Sequence, residues 1–214
     1  MTKLSVFLLS LFTIVGLTSC GQQPIKSSPQ KTQKDLSKYN QATFASGCFW
    51  CVEAVFESVK GVEEAVSGYA GGKESNPTYE KIASTGHAET VQVYYDPAVV
   101  SYATLLKVYF ASHDPTQVNG QGPDNGSPYR SILFYRNNDE KMQAEKFIAE
   151  VQKKYSRPIA AKVALLEKFW IAEDYHQDYV RQHPNVAYVQ GESIPRIKRF
   201  QKQYPELIKP DHKF

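Results

Sequence analysis

The sequence predicts an α/β (α+β) fold: a two-layer sandwich with a mixed sheet and a ferredoxin-like, split βαβ core. Three observations lead there. Strand-like runs alternate with helix-like runs. Some strands follow one another closely, which suits helices on a mixed sheet better than a doubly wound parallel one. The Gly-rich segment GYAGG, 68–72, lacks the spacing of a dinucleotide fingerprint and no P-loop occurs, so nucleotide chemistry is disfavoured.

The elements follow in order. NQATFAS, 40–46, reads as a strand. From Cys48 to about Val59, the apolar residues Phe49, Val52, Val55, Phe56 and Val59 recur at helical spacing. GVEEAVSGYAGG, 61–72, is a strand running into a Gly-rich turn. ETVQVYYD, 89–96, alternates as a strand does, and SYATLLKVYFASH, 101–113, is a helix with Ser101 as its N-cap. YRSILFYR, 129–136, is a strand, and 138–155 is an amphipathic helix built on Met142, Phe147, Ile148, Val151 and Tyr155. IAAKVALL, 159–166, is a further strand, and AEDYHQDYVRQH, 172–183, is predicted helical. The basic cluster RIKRFQKQY, 196–204, reads as a solvated helix face. One connection breaks the rule of short loops. HDPTQVNGQGPDNGSPYR, 113–130, is long, polar and rich in Gly and Pro, and such loops are uncommon in compact domains unless they build a site.

The chain has 214 residues with 42 % hydrophobic content, enough for one domain with a sizeable core. That domain is expected over 39–205, with 206–214 as a C-terminal tail. Residues 1–19 stand apart: one charge, Lys3, precedes an apolar run over 4–17, shorter than the roughly 18–20 residues a spanning helix needs. This is the pattern of a secretory signal peptide. The junction LTSC, 17–20, resembles the lipobox of bacterial lipoproteins. That resemblance implies cleavage before Cys20, a diacylglycerol on its sulfur, and an exported, membrane-anchored protein facing the periplasm or the cell exterior. The segment 21–38 has no aromatic residue and only two large aliphatics, so 20–38 is expected to be a disordered tether. Loss of 1–19 removes only Lys3 and takes the formal charge from +3 to +2, too little to indicate nucleic acid. A monomer is the default expectation.

The sequence contains three cysteines. With lipid on Cys20, the folded domain keeps Cys48 and Cys51, too few to staple it, so a chemical role outweighs a structural one. Cys48 opens the first helix, where unpaired N–H groups and the dipole favour thiolate. Cys51 shares its helix face and can close a disulfide with little backbone movement. Three chemistries fit: a thiol–disulfide exchanger needing only this pair, a metal-binding surface lipoprotein, or a nucleophile resolved by its neighbour. His87 and His113 lie in separate segments without zinc-site spacing, and no metal is expected. The third chemistry needs an acid and a pocket. Glu89, Tyr79, Asp124 and Tyr129 are the available parts, the last two from the long loop.

GCFWCVEAVF, GYAGG, NPTY, GHAE, YDP, HDPTQ and GPDNGSPYRS occur in the order and spacing of the peptide methionine sulfoxide reductase A family. The resemblance covers about 39–190. It implies that Cys48 attacks the sulfoxide sulfur, that Glu89 is the acid, and that Tyr79 and Tyr129 bind the sulfoxide oxygen with Asp124 in support. Phe49 and Trp50 then wall the pocket for the terminal methyl. The chemistry agrees. Oxygen is a poor leaving group, so a general acid is needed, and a glutamate serves only if burial keeps it protonated. Phenols stabilise charge on the oxygen, and an aromatic cleft suits an S-methyl group. The resemblance also implies the S epimer of methionine sulfoxide as substrate, in proteins and free, and a sulfenic acid on Cys48. No bound cofactor is implied, only an external thiol reductant, a thioredoxin-type protein or dithiothreitol. Many family members carry Gly at the position of Cys51 and resolving cysteines near the C-terminus; here no cysteine follows Cys51, so either Cys51 is the internal resolver, the favoured expectation, or the reductant attacks the Cys48 sulfenic acid directly. The activity expected is repair of oxidised exported proteins.

Overall fold

A computed structural model describes residues 34–214. The expected signal segment, Cys20 and most of the expected tether lie outside the described residues. The elements run β1 (Asn40–Ala45), α1 (Phe49–Glu57), β2 (Val62–Ala70), α2 (Ile82–Thr85), β3 (Ala88–Tyr95), α3 (Tyr102–Ala111), β4 (Gly120–Gln121), β5 (Asp124–Asn125), β6 (Ile132–Tyr135), α4 (Asn138–Gln152), β7 (Lys162–Leu165), β8 (Phe169–Ile171), α5 (Tyr179–Gln182) and α6 (Ile194–Gln203). The main sheet has the order β7-β6-β1-β3-β2-β8. Strand β3 is antiparallel to both β1 and β2, so β1–α1–β2 is a βαβ unit split by β3, as predicted. On one flank β6–α4–β7 adds an adjacent parallel pair, and on the other β8 joins β2 antiparallel.

Side-chain chemistry explains why the layers close. Strand β3 is central and buried along nearly its whole length, which suits its valines and tyrosines. Helix α1 lays Phe49, Val52, Val55 and Phe56 inward. Phe56 stacks on Phe44 of β1 with ring centroids 5.0 Å apart, and Tyr109 of α3 closes on Phe44 at 5.5 Å. The Tyr109 hydroxyl, buried with them, donates to the Ala45 carbonyl at 3.1 Å and so avoids an unpaired polar group. Ser101 caps α3 as expected, its Oγ accepting from Thr104 N at 3.1 Å. Asn137 caps α4 in the same way, accepting from Glu140 N at 2.9 Å.

Two expectations give way. The run 172–183 is not one helix. A 3-10 turn, Asp174–His176, and α5 are separated at Asp178, whose φ is +54°. Tertiary bonds hold that break: Asp178 N donates to buried Glu53 Oε1 at 2.6 Å, and the Gln177 amide bonds both the N–H and the carbonyl of Ser67. These outweigh local helix propensity. The basic cluster does lie on a helix, α6, yet its first residue faces inward. Arg196 is 6 % exposed, and its guanidinium donates to the carbonyls of Ser112 at 2.6 Å and Ser46 at 3.0 Å. Lys198, Arg199 and Lys202 face solvent. Beyond 205 the chain returns to the end of α1, where buried Ile208 bridges Val59.

Candidate active site

The register that sets Phe44 opposite Val91 brings the start of β3 beside the turn leaving β1. Gly47 makes that turn at φ +86°, and a Cβ there would sit 2.5 Å from Gln121 Cβ, so only glycine admits the β4–β5 hairpin this close. Cys48 follows as the N-cap residue of α1. From β3, Glu89 reaches the same helix end: its Oε2 accepts from Phe49 N at 2.9 Å, one of the N–H groups α1 leaves without an internal partner. Glu89 is 2 % exposed. Burial lifts its carboxyl to about 8, with the Asp124 and Cys51 charges adding to the rise and the Phe49 N–H opposing it. It therefore carries a proton at neutral pH.

Two phenols face this carboxyl. Tyr79, in the 3-10 turn Tyr79–Lys81, and Tyr129, at the close of the long connection, line the same cavity, and burial raises both above the usual phenol range. Glu173 holds Tyr79 in place by accepting its N–H at 3.1 Å, while accepting from Tyr69 Oη at 2.7 Å. Asp124 opens β5. Burial raises its carboxyl, and it accepts from Tyr188 Oη at 2.5 Å. Tyr188 and Cys48 line the same cavity.

The aromatic side is as rigid. Phe49 stacks on Tyr79 with centroids 6.3 Å apart, and Trp50 lies flat on Tyr179 at 3.7 Å. Trp50 Nε1 donates to Nδ1 of buried His176 at 3.1 Å, and burial lowers that imidazole to about 4, so it stays neutral. Cys48, Glu89, Tyr79, Tyr129 and Asp124, with Phe49 and Trp50, surround one cavity of about 150 Å³, and Tyr188 completes its wall. All the residues predicted for the chemistry and the substrate are thus brought together. The volume suits the end of one side chain rather than a whole drug-sized ligand, which needs roughly 300–1,000 Å³.

Cys48 and Cys51 are both free and buried, and each shifts the titration of the other. Here the expectation of a thiolate on Cys48 is corrected. Burial first, then Cys51 and Glu89, push the Cys48 thiol well above the ordinary range. The neighbouring Cys48 thiol, helped by the Arg196 charge and Ser193, draws Cys51 down to about 6 against its own burial. The field of the helix end is outweighed because the cavity strips water from Cys48. His87 and His113 are turned to other partners, Thr85 Oγ1 at 2.9 Å and the Tyr109 carbonyl at 2.8 Å.

Tyr188, His176, Ser193 and Arg196 were not legible as site residues. His176 lies in a stretch whose pattern reads as helix and Arg196 in one that reads as surface; Tyr188 and Ser193 lie between the two, where the pattern marks no element, and only the third dimension returns them to α1.

A buried thiol pair facing a protonated carboxyl and two phenols, on a split βαβ scaffold, defines a thiol-dependent oxidoreductase. A family model described as peptide methionine sulfoxide reductase matches residues 40–208. Peptide methionine sulfoxide reductase MsrA 1 of Rhodopirellula baltica is 45 % identical over 170 residues, covering 78 % of this chain and 88 % of the relative. MsrA of Thermus thermophilus is 44 % identical over 171 residues, covering 79 % and 97 %. Among solved structures, Mxr1 from Saccharomyces cerevisiae in reduced form superposes with a TM-score of 0.68 at 34 % identity, covering 73 % of this chain and 92 % of that one. Mxr1 in complex with Trx2 superposes with a TM-score of 0.50 at 27 % identity, covering 70 % and 91 %. The chain belongs to the peptide methionine sulfoxide reductase A family, enzymes that reduce methionine sulfoxide to methionine at the expense of thiols.

Proposed function

We propose that this protein reduces the S epimer of methionine sulfoxide, in proteins and as the free amino acid, with Cys48 as nucleophile and Cys51 as resolver. The observation that carries this reading is Glu89, a carboxyl that burial keeps protonated, seated on the N–H of the residue after Cys48. Phe49 and Trp50 hold the S-methyl group against aromatic faces. The Cys48 sulfur attacks the sulfoxide sulfur after passing its proton to the neighbouring Cys51. Glu89 protonates the oxygen as the S–O bond weakens, and Tyr79 and Tyr129 hydrogen-bond that oxygen as charge develops. Asp124 fixes Tyr188 at the wall of the Cys48 cavity. The net first step turns the Cys48 thiol and the sulfoxide into a Cys48 sulfenic acid and methionine. Cys51 then displaces the oxygen as water, giving the Cys48–Cys51 disulfide, which a thioredoxin-type dithiol reduces. The solved complex of Mxr1 with Trx2 supports that class of reductant.

The N-terminal pattern supports a location: an apolar run ending in LTSC, then a polar segment, fits a lipid on Cys20 and a tethered enzyme acting on exported proteins. Assay on separated epimers tests the chemistry. The S epimer alone is reduced, and Cys48→Ser abolishes turnover; substantial residual reduction by Cys48→Ser sinks the assignment. Cys20→Ala moves the protein from membrane to soluble fractions, and unchanged fractionation removes the tether from the reading.

A further inference from the structure

Cys51 sits in surroundings that the reaction at Cys48 does not by itself require. Its Sγ lies 3.1 Å from Ser193 Oγ. Ser193, fully buried, ends a π-helical turn, Val189–Ser193, that leads into α6. Wide turns of this kind shift residues out of the ordinary helical register and recur at functional sites. One turn further on, Arg196 is buried against the same end of α1, pinned by the Ser46 and Ser112 carbonyls. Neutral carbonyls leave its charge intact, and among the described residues it makes no ion pair with a carboxylate. Cys51 and Arg196 line a common cavity of about 490 Å³ that does not include Cys48. A fixed cation and a hydroxyl within hydrogen-bond reach of a thiol form a receptacle for an anion.

We infer that Ser193 and Arg196 hold Cys51 as the thiolate of the reduced pair, making Cys51 the charged partner in both resolution and recycling. This rests on the proposed role of Cys51 as resolver. In resolution the Cys51 thiolate attacks the sulfur of the Cys48 sulfenic acid. The S–S bond forms, the S–O bond breaks, and the oxygen takes up a proton and leaves as water. In recycling a dithiol of the thioredoxin class attacks the Cys48 sulfur, and Cys51 departs as thiolate into the same receptacle. The second thiol of the reductant then attacks the mixed disulfide, freeing Cys48 and oxidising the reductant. A weakly basic thiolate leaves faster, which aids recycling, while in resolution the receptacle helps by keeping the attacking thiol ionised at pH values below the ordinary thiol range. The groups facing Cys51 have opposed effects. Cys48 on α1 favours its charge, Arg196 on α6 attracts that charge, and the Asp124 carboxylate from β5 repels it. Glu89 from β3 is neutral by protonation, and the Tyr188 proton is committed to Asp124.

The test measures the thiolate itself. In a Cys48→Ser background, ultraviolet titration of thiolate reports Cys51, and Cys20 contributes equally to every protein compared. Adding Ser193→Ala moves the Cys51 midpoint up by about one pH unit, the effect of one hydrogen bond to a charged group. Ser193→Thr, which keeps the hydroxyl, returns the midpoint to its original place. With Cys48 intact, single-turnover disulfide formation in Ser193→Ala is slowed about threefold near pH 5.5, matches the unsubstituted protein near about pH 6.5 and runs about two- to threefold faster above about pH 8, since the more basic thiolate is the better nucleophile once ionised. A midpoint unchanged by Ser193→Ala, or a slowing that is equal at every pH, overturns the inference. Methionine release in the same single turnover keeps the two readings separate: its absence from the unsubstituted protein defeats the sulfoxide reductase reading, whereas normal release with an unmoved Cys51 midpoint defeats the receptacle alone.

Discussion

Replacing Glu89 with Gln separates two consequences of one buried carboxyl. The amide keeps the volume and can still accept the Phe49 N–H, but it has no acidic proton to give and no charge to gain. In the unsubstituted protein burial holds the carboxyl near 8, against about 4.3 in an unfolded chain. Between those values the folded state binds the extra proton, so stability falls as pH rises and levels off above the folded value. Between pH 5 and 7 the slope is nearly a full proton, which costs about 2–3 kcal/mol through this group alone. Urea unfolding of both proteins at pH 5 and pH 7 measures it. The stability difference between them shifts by that amount, in favour of Glu89→Gln at the higher pH. His176, held neutral by burial with a value of about 4, gives a slope of the opposite sign, but it is common to both proteins and cancels in the difference. The same substitution slows methionine release by about 10²–10⁴-fold, the usual contribution of a general acid, and the rate of the unsubstituted protein declines as pH rises through about 8. Parallel pH–stability curves would refute the buried proton; full activity of Glu89→Gln at pH 7 would refute its use.

Three further substitutions probe separate parts. Tyr188→Phe removes the hydroxyl that Asp124 holds at the wall of the Cys48 cavity and lowers kcat about tenfold, the worth of one hydrogen bond to a charged group; steady-state kinetics showing less than a twofold change would remove Tyr188 from the chemistry. Cys51→Ser still releases one methionine per protein but recycles slowly with thioredoxin, and unchanged recycling would mean that the reductant acts on the Cys48 sulfenic acid directly. Gly68→Ala places a Cβ 2.3 Å from the Trp170 carbonyl, so β2 and β8 must part. Its cost is about 1–3 kcal/mol in urea unfolding, as for other overpacked sites, and a stability equal to that of the unsubstituted protein would show that the β8 edge yields freely.

What the sequence revealed follows the range of the interactions involved. Helix α1 and the Ser101 cap are local, set by spacing and by one side chain meeting a backbone three residues on, and both are readable by eye. The split core was legible because closely following strands leave few pairings. The long connection betrayed its role by length, and it does supply Asp124 and Tyr129. The helix expected over 172–183 failed because Glu53 and Ser67, more than a hundred residues away, claim the backbone and side chains at its centre. Arg196 was misread as surface for the same reason: a basic run looks solvated until a partner 150 residues earlier draws one member inward. The charge on the cysteine pair was misplaced because a helix end is visible in sequence, whereas burial is not.

The bond between Arg196 and the Ser46 carbonyl also has a consequence in time. Ribosomes add roughly 5–20 residues per second, so the stretch between these two residues takes on the order of 10–30 s to make. Throughout that interval the thiol pair exists without Tyr188, Ser193 or Arg196, and no shortened product ending before them carries the finished chemistry. A segment made long after the thiol pair therefore tunes that pair's reactivity.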